Sequence, residues 1–147
     1  MKAVKTGDPA ADETQLGPVS SKEQLHTLCE QVAKSVEGGA NLICGGKPSG
    51  VGQYFPPTVL ANCKPGTPAN EDELFQPVAF IIKAKDYEDA MRIANESRYG
   101  PRGGIFWTDE DRVVKLARDH FDTGMIRINS FGAVDPNMPF GGVKDSG

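Results

Sequence analysis

The sequence holds 147 residues, 38% hydrophobic and 24% charged, the balance of a soluble globular chain long enough to bury a core. A formal net charge of -4 argues against a nucleic-acid footprint and against attraction to an anionic membrane surface. No apolar run reaches the length of a bilayer span, and the opening Met1-Lys2-Ala3-Val4-Lys5 lacks the apolar core of a signal peptide, so the expected address is cytoplasmic.

Residues 1–19 are punctuated by Pro and Gly and read as an irregular lead-in. Residues 20–37 read as a helix: Ser20 and Glu23 have capping-box spacing, and Leu25, Leu28, Val32 and Val36 fall on one apolar stripe. Gly38-Gly39 ends it. Residues 40–44 read as a short strand, and residues 54–61 as an extended segment in which Pro56-Pro57 excludes helix. Residues 63–69, with Pro65 and Pro68, read as a loop. Residues 78–84 are nearly all apolar, as expected of a strand covered on both faces.

A helix over residues 86–95 follows, with Asp86 as its cap, then a strand over residues 104–107. Residues 108–121 form a third predicted helix, with Thr108 and Asp111 at capping-box spacing and Val113, Leu116, Ala117 and Phe121 on its buried stripe. The last predicted strand covers residues 125–129. Helices alternating with short apolar strands predict one α/β domain, a largely parallel sheet flanked by helices.

Chemistry concentrates at Asn70-Glu71-Asp72-Glu73-Leu74-Phe75-Gln76-Pro77, directly before the most apolar run of the chain. Pro77 disfavours helix at Gln76 and sets up an extended exit. An acidic turn is thus pressed against the mouth of a strand, where open α/β sheets place ligand-handling groups. The plainer reading is a solvated acidic turn.

The cysteines, Cys29, Cys44 and Cys63, are odd in number and form no C-x-x-C pair, so neither a disulfide framework nor a metal site is expected. A nucleophilic thiol needs a lowered pKa and access to substrate. Cys44 lies in an apolar strand and Cys29 beside a helical stripe; Cys63, in a loop, is expected to be the most exposed of the three, and a structural role is the reading for each. His26 and His120 are isolated, the latter in the last turn of a helix. Arg98 and Arg102 flank Tyr99-Gly100-Pro101 and read either as a clamp for a carboxylate-bearing substrate or as a solvated loop.

Several stretches, in order, resemble motifs of the NAD(P)-dependent aldehyde dehydrogenase family. They are Gly7-Asp8-Pro9 with Leu16-Gly17-Pro18, then Asp72-Glu73-Leu74-Phe75-Gln76-Pro77, then Ala94-Asn95 with Tyr99-Gly100, then Gly124 through Asn129, then Pro139-Phe140-Gly141-Gly142-Val143-Lys144-Asp145-Ser146-Gly147. The wording is most similar to the succinate-semialdehyde dehydrogenase branch. Asp72 stands where the family's motif has Glu, Gln76 where it has Gly, and Pro101-Arg102 where small or apolar residues are usual.

The resemblance implies a partial aldehyde dehydrogenase catalytic domain, the last third of such an enzyme trimmed at both ends. The family's nucleophilic Cys, general-base Glu and Rossmann-like cofactor domain precede this part, so no catalytic residue is assigned here. The parent reaction it implies is thiohemiacetal formation on a Cys, hydride transfer to NAD or NADP, then thioester hydrolysis. By resemblance Glu73 accepts hydrogen bonds from the ribose hydroxyls of the cofactor, Phe75 packs beside the nicotinamide ring, and Phe140 encloses the nicotinamide and substrate end. Asn129 ties backbone groups of the following loop, and Ser130, Phe131 and Val134 line the aldehyde tunnel.

The implied cofactor is NAD or NADP in the complete enzyme, with none held tightly by this chain alone. The implied partners are a small-molecule aldehyde, the missing upstream portion of the enzyme, and further copies of the chain through self-association or a homo-oligomer. The alternative is a non-catalytic binding or assembly module derived from the same scaffold.

Overall fold

The computed structural model describes residues 1–75, 77–131 and 136–147, which divide into two compact units, Met1–Lys83 and Ala84–Gly147.

In the first unit, helix α1 (Lys22–Glu37) starts one residue later than the capping-box spacing predicts. Ser21 takes the extended conformation and its hydroxyl accepts from the Gln24 N–H at 3.0 Å, so Ser21 rather than Ser20 is the cap. The exposed Glu23 carboxyl is then held below its ordinary range by its own backbone N–H and by the Ser21 hydroxyl. Leu28 and Val32 of the predicted stripe are buried, with Ser35 beside them. The Ser35 hydroxyl donates to the Gln31 carbonyl at 2.7 Å and accepts from the Ala69 N–H at 2.9 Å, which satisfies it in the core.

Two strands follow, β1 (Asn41–Cys44) and β2 (Thr58–Ala61). Residues predicted as a loop then contain a short helix, α2 (Pro68–Glu71), because Pro68 opens the first turn, where its missing N–H costs nothing. Strand β3 (Val78–Ile81) completes a three-stranded sheet of order β1-β2-β3, antiparallel between β1 and β2 and parallel between β2 and β3. Leu28, Val32, Phe55, Leu60, Ala69 and Leu74 make the core under it. The expectation that the apolar run is covered on both faces is corrected: Phe80 is 43% and Ile81 56% exposed. An apolar run records that burial is favourable, not which element supplies the cover.

The second unit runs α3 (Tyr87–Glu96), β4 (Tyr99–Gly100), β5 (Gly103–Ile105), α4 (Glu110–His120), β6 (Ile126–Ile128) and β7 (Val143–Lys144). Asp86 caps α3 as predicted, accepting from the Asp89 N–H at 2.8 Å. Asp109, not Thr108, caps α4, accepting from the Arg112 N–H at 3.0 Å. On α4, Val113 and Ala117 are buried, whereas α3 buries none of its residues. The Arg112 guanidinium lies 4.5 Å from the ring centre of Tyr87 and 5.5 Å from that of Trp107, a cation–π bridge from α4 to the start of α3. Strand β4 pairs antiparallel with β7, and β5 parallel with β6. The α/β class stands, and the predicted largely parallel sheet takes the form of small ladders of both kinds among the described residues.

Candidate functional site

In the first unit the acidic stretch is fixed at both ends. The Asp72 N–H donates to the Pro68 carbonyl at 2.9 Å, closing α2, and the Thr58 N–H donates to the Pro77 carbonyl at 2.8 Å, docking the entry of β3 on β2. Between these points Leu74 is buried in the core, while its neighbours Glu73 and Phe75 are exposed, Phe75 to 64%. Side chains alternate in an extended segment, so one anchored leucine presents the carboxylate and the ring that flank it. The Phe75 carbonyl also accepts from Gln24 Nε2 of α1 at 3.4 Å. Gln76, the departure from the family's Gly, lies outside the described residues.

In the second unit the Asn129 side chain, expected to tie the loop that follows, has its described partner earlier in the chain. It bonds Trp107, its Oδ1 accepting from the Trp107 N–H and its Nδ2 donating to the Trp107 carbonyl, both at 2.8 Å. The side-chain amide thereby extends the β5–β6 ladder by one further pair. With φ at 50° the backbone of Asn129 is left-handed and turns away from the sheet, a conformation Asn tolerates better than most residues. Ser130 and Phe131 follow directly and line a cleft of about 330 Å³ with Arg102, Gly104, Phe106 and Arg127. The rings of Phe131 and Phe106 lie 5.1 Å apart between centres.

Phe140, 62% exposed, lines a different cleft of about 330 Å³ with Met125, Ile126, Met138 and Pro139. Arg127 borders both clefts. The turn under Phe140 depends on close backbone approach: a Cβ on Gly124 would sit 2.0 Å from the Gly141 carbonyl oxygen, and one on Gly142 2.3 Å from that of Ser146. Two stretches noticed separately in the sequence are therefore interlocked. Val134, the remaining predicted tunnel residue, lies outside the described residues.

The polar motif residues hold the helix ends. Asn95 Nδ2 donates to the His120 carbonyl at 2.6 Å and Asn95 Oδ1 accepts from the Asp122 N–H at 2.9 Å, so one amide joins the end of α3 to the end of α4. Lys144 Nζ donates to the carbonyls of Asn95 at 2.8 Å and Ser97 at 3.0 Å and lies 3.4 Å from Asp122 Oδ2, with its side chain 18% exposed. A cation at a helix C-terminus meets the negative end of the helix dipole. Arg98 and Arg102, read either as a clamp for a carboxylate-bearing substrate or as a solvated loop, have different surroundings. Arg98 lies over the Tyr99 ring and 3.8 Å from Asp145, while Arg102 shares its cleft with Arg127. The signal for that partnership is the strand register, which pairs Gly103 with Ile126 and Gly104 with Arg127.

Cys63 is 5% exposed, which corrects the expectation that it is the most accessible thiol. Burial pushes the Cys29 and Cys63 thiols up, away from the lowered pKa of a nucleophile. Among the described residues no group of three His, Cys, Asp or Glu side chains is placed to hold a metal, and no helix is long and apolar enough to cross a membrane.

Residues 1–147 match the aldehyde dehydrogenase family. The chain is 44% identical over 99% of its length to the succinate semialdehyde dehydrogenase (NAD(P)+) Sad of Escherichia coli (strain K12), and 41% identical over its full length to the NADP(+) succinate-semialdehyde dehydrogenase of Deinococcus radiodurans. It spans about 31% of the length of each. Among solved structures it superposes with a TM-score of 0.91 on the Mycobacterium tuberculosis aldehyde dehydrogenase complexed with NAD+, at 38% identity, covering 99% of this chain and 30% of that one. The TM-score is also 0.91 for the succinic semialdehyde dehydrogenase of Streptococcus pyogenes in complex with NADP+, at 35% identity, covering 97% of this chain and 31% of that one. A family match that runs the whole length of the chain, with relatives of 41–44% identity behind it, leads to one conclusion: the chain belongs to the aldehyde dehydrogenase family.

Proposed function

We propose that this chain contributes the nicotinamide-side wall and part of the aldehyde tunnel to an enzyme that oxidises succinate semialdehyde to succinate with NAD or NADP, and that the nucleophile and general base come from outside these 147 residues. The observation that carries this reading is the pair of exposed side chains, Glu73 and Phe75, held on either side of the buried Leu74.

The residues fit the cofactor. A carboxylate accepts from two adjacent hydroxyls at once, which suits Glu73 to the vicinal diol of a ribose. An exposed aromatic face next to it suits Phe75 to stacking against a flat heterocycle and limiting its rotation. The bound nicotinamide supplies the hydride acceptor. Phe140, beside its cleft, excludes water near the reacting carbon, and Ser130 and Phe131 line the approach of the aldehyde. Cys29 and Cys63, their thiols raised by burial, are unsuited to attack, which supports a nucleophile from the rest of the enzyme.

The reading is tested by mixing the chain with a separately expressed upstream portion of the Escherichia coli relative and following NAD(P)H absorbance with succinate semialdehyde. Turnover in the mixture, with neither part active alone, is the expected result. In that mixture Glu73→Gln should raise the KM for the cofactor about tenfold, the worth of losing roughly one charge-assisted hydrogen bond. Reduction of the cofactor by this chain alone, or no turnover in a mixture that assembles, overturns it.

A further inference from the structure

We propose that the cleft bordered by Arg102 and Arg127 is a carboxylate-binding site, one that takes the charged end of a short oxo acid or dicarboxylate. The choice of succinate as ligand rests on the function proposed above; the carboxylate chemistry rests on the cleft itself.

Strand register creates the site. Gly104 of β5 pairs with Arg127 of β6, and the N–H of Gly103 donates to the Met125 carbonyl at 2.8 Å. Arg102 precedes Gly104 by two residues, the spacing that returns a side chain to the same face of a strand. Arg102 and Arg127 accordingly line one cleft of about 330 Å³. Gly104, which also lines the cleft, places no side chain there, which leaves room for a ligand.

The chemistry of the lining is divided. Two arginines and the Ser130 hydroxyl offer donors, while the Phe106 and Phe131 rings, 5.1 Å apart, give an apolar wall for methylene groups. Guanidinium forks match the two oxygens of a carboxylate, and this match is more specific than a point charge. The volume lies at the small end of the ligand-pocket range, in keeping with a ligand of few carbons. The surrounding chain has a net charge of -4, so two arginines lining one cleft stand against its overall sign. An anion held in the cleft would be attracted by both. Arg127 and Ser130 already interact with other groups, but a guanidinium carries five donors, so an engaged one still has N–H groups to offer.

The test uses the full chain, labelled with ¹⁵N at arginine, and succinate as the probe. The side-chain Nε–Hε signals of Arg102 and Arg127 should move along one saturable curve with succinate and stay in place with succinamide, its neutral counterpart. Arg102→Gln and Arg127→Gln should each weaken binding at least fivefold, and Arg102→Lys by less. Arg102 precedes the paired residues of β5, so its variants spare the ladder; circular dichroism checks that the fold is retained. Shifts that rise linearly without saturating, an equal response to succinamide, or unchanged affinity in Arg102→Gln overturn the proposal. The two readings separate cleanly. Turnover in the mixed enzyme without succinate binding here removes the cleft alone, while saturable binding without turnover in any assembled mixture removes the enzymatic reading alone.

Discussion

The two units hold themselves together by different means. The first has an apolar core: Leu28 and Val32 of α1, Phe55, Leu60 of β2, Ala69 of α2 and Leu74 form one cluster. Among the described residues of the second, Val113 and Ala117 are the buried apolar side chains, and all of α3 remains at least partly accessible. What organises the second unit is polar and geometric: the Asn95 amide between helix ends, the Lys144 ammonium on two carbonyls, the Asn129 amide on Trp107, and glycines that let backbones touch. Burial is tolerant of exchange among apolar residues of similar volume, whereas hydrogen-bond geometry and close approach are not. Asn95, Asn129, Lys144 and the glycines of the second unit thus serve its packing, while in the first unit Glu73 and Phe75 face outward on either side of the buried Leu74.

The contrast can be broken most forcefully at Phe55. It is fully buried, and Phe55→Ala should cost about 4 kcal/mol in denaturant unfolding, against less than about 0.5 kcal/mol for Phe80→Ala on the exposed part of β3. Equal costs would mean that the first unit does not depend on its core. In the second unit the sharpest variant adds one carbon. Gly124→Ala drives a methyl into the Gly141 backbone and should cost about 3 kcal/mol, with hydrogen exchange accelerated at residues 139–144. A neutral result there would contradict organisation by close approach.

Lys144→Met tests the polar clasp. Loss of the ammonium leaves the Asn95 and Ser97 carbonyls without their donor, and about 2 kcal/mol should go, with fraying at the end of α3 measured by amide exchange. The smallest effect concerns pH. The Asp89 carboxyl is held below its ordinary value, first by its hydrogen bond from Arg92 and then by the Lys85 N–H. A depressed folded value means that the stabilisation is present above the ordinary aspartate range and is lost as pH falls through the folded value. Helix α3 should therefore weaken below about pH 4, and Asp89→Asn should flatten that acid limb in circular dichroism.

Local signals carried far in the sequence. Asp86 is legible as a cap because its side chain is alone in position to reach the first turn, while Ser20-Ser21 and Thr108-Asp109 each offer adjacent competent caps, and the chain uses the second of each. Pro68 reads as a breaker until its place at the head of a turn is known. The family resemblance marks Glu73, Phe75 and Phe140, and all are exposed. What sequence order hides is pairing across distance. The β4–β7 ladder joins Tyr99 to Lys144, and the Arg102–Arg127 cleft needs the register of β5 on β6, neither of which leaves a periodic trace. Burial of Cys63 in a non-strand segment is equally invisible, since a loop residue folded under a sheet has no pattern to announce it.

The accessible phenylalanine and isoleucine of β3 also set how the protein behaves in the hands of a biochemist. Sulfate and phosphate are excluded from protein surfaces and strengthen the tendency of apolar area to leave water. Phe80 and Ile81 give those salts a surface to act on, so salting-out should begin at lower ammonium sulfate than for a Phe80→Ser, Ile81→Thr double variant, and chromatography in dilute chloride should recover more protein than in concentrated phosphate.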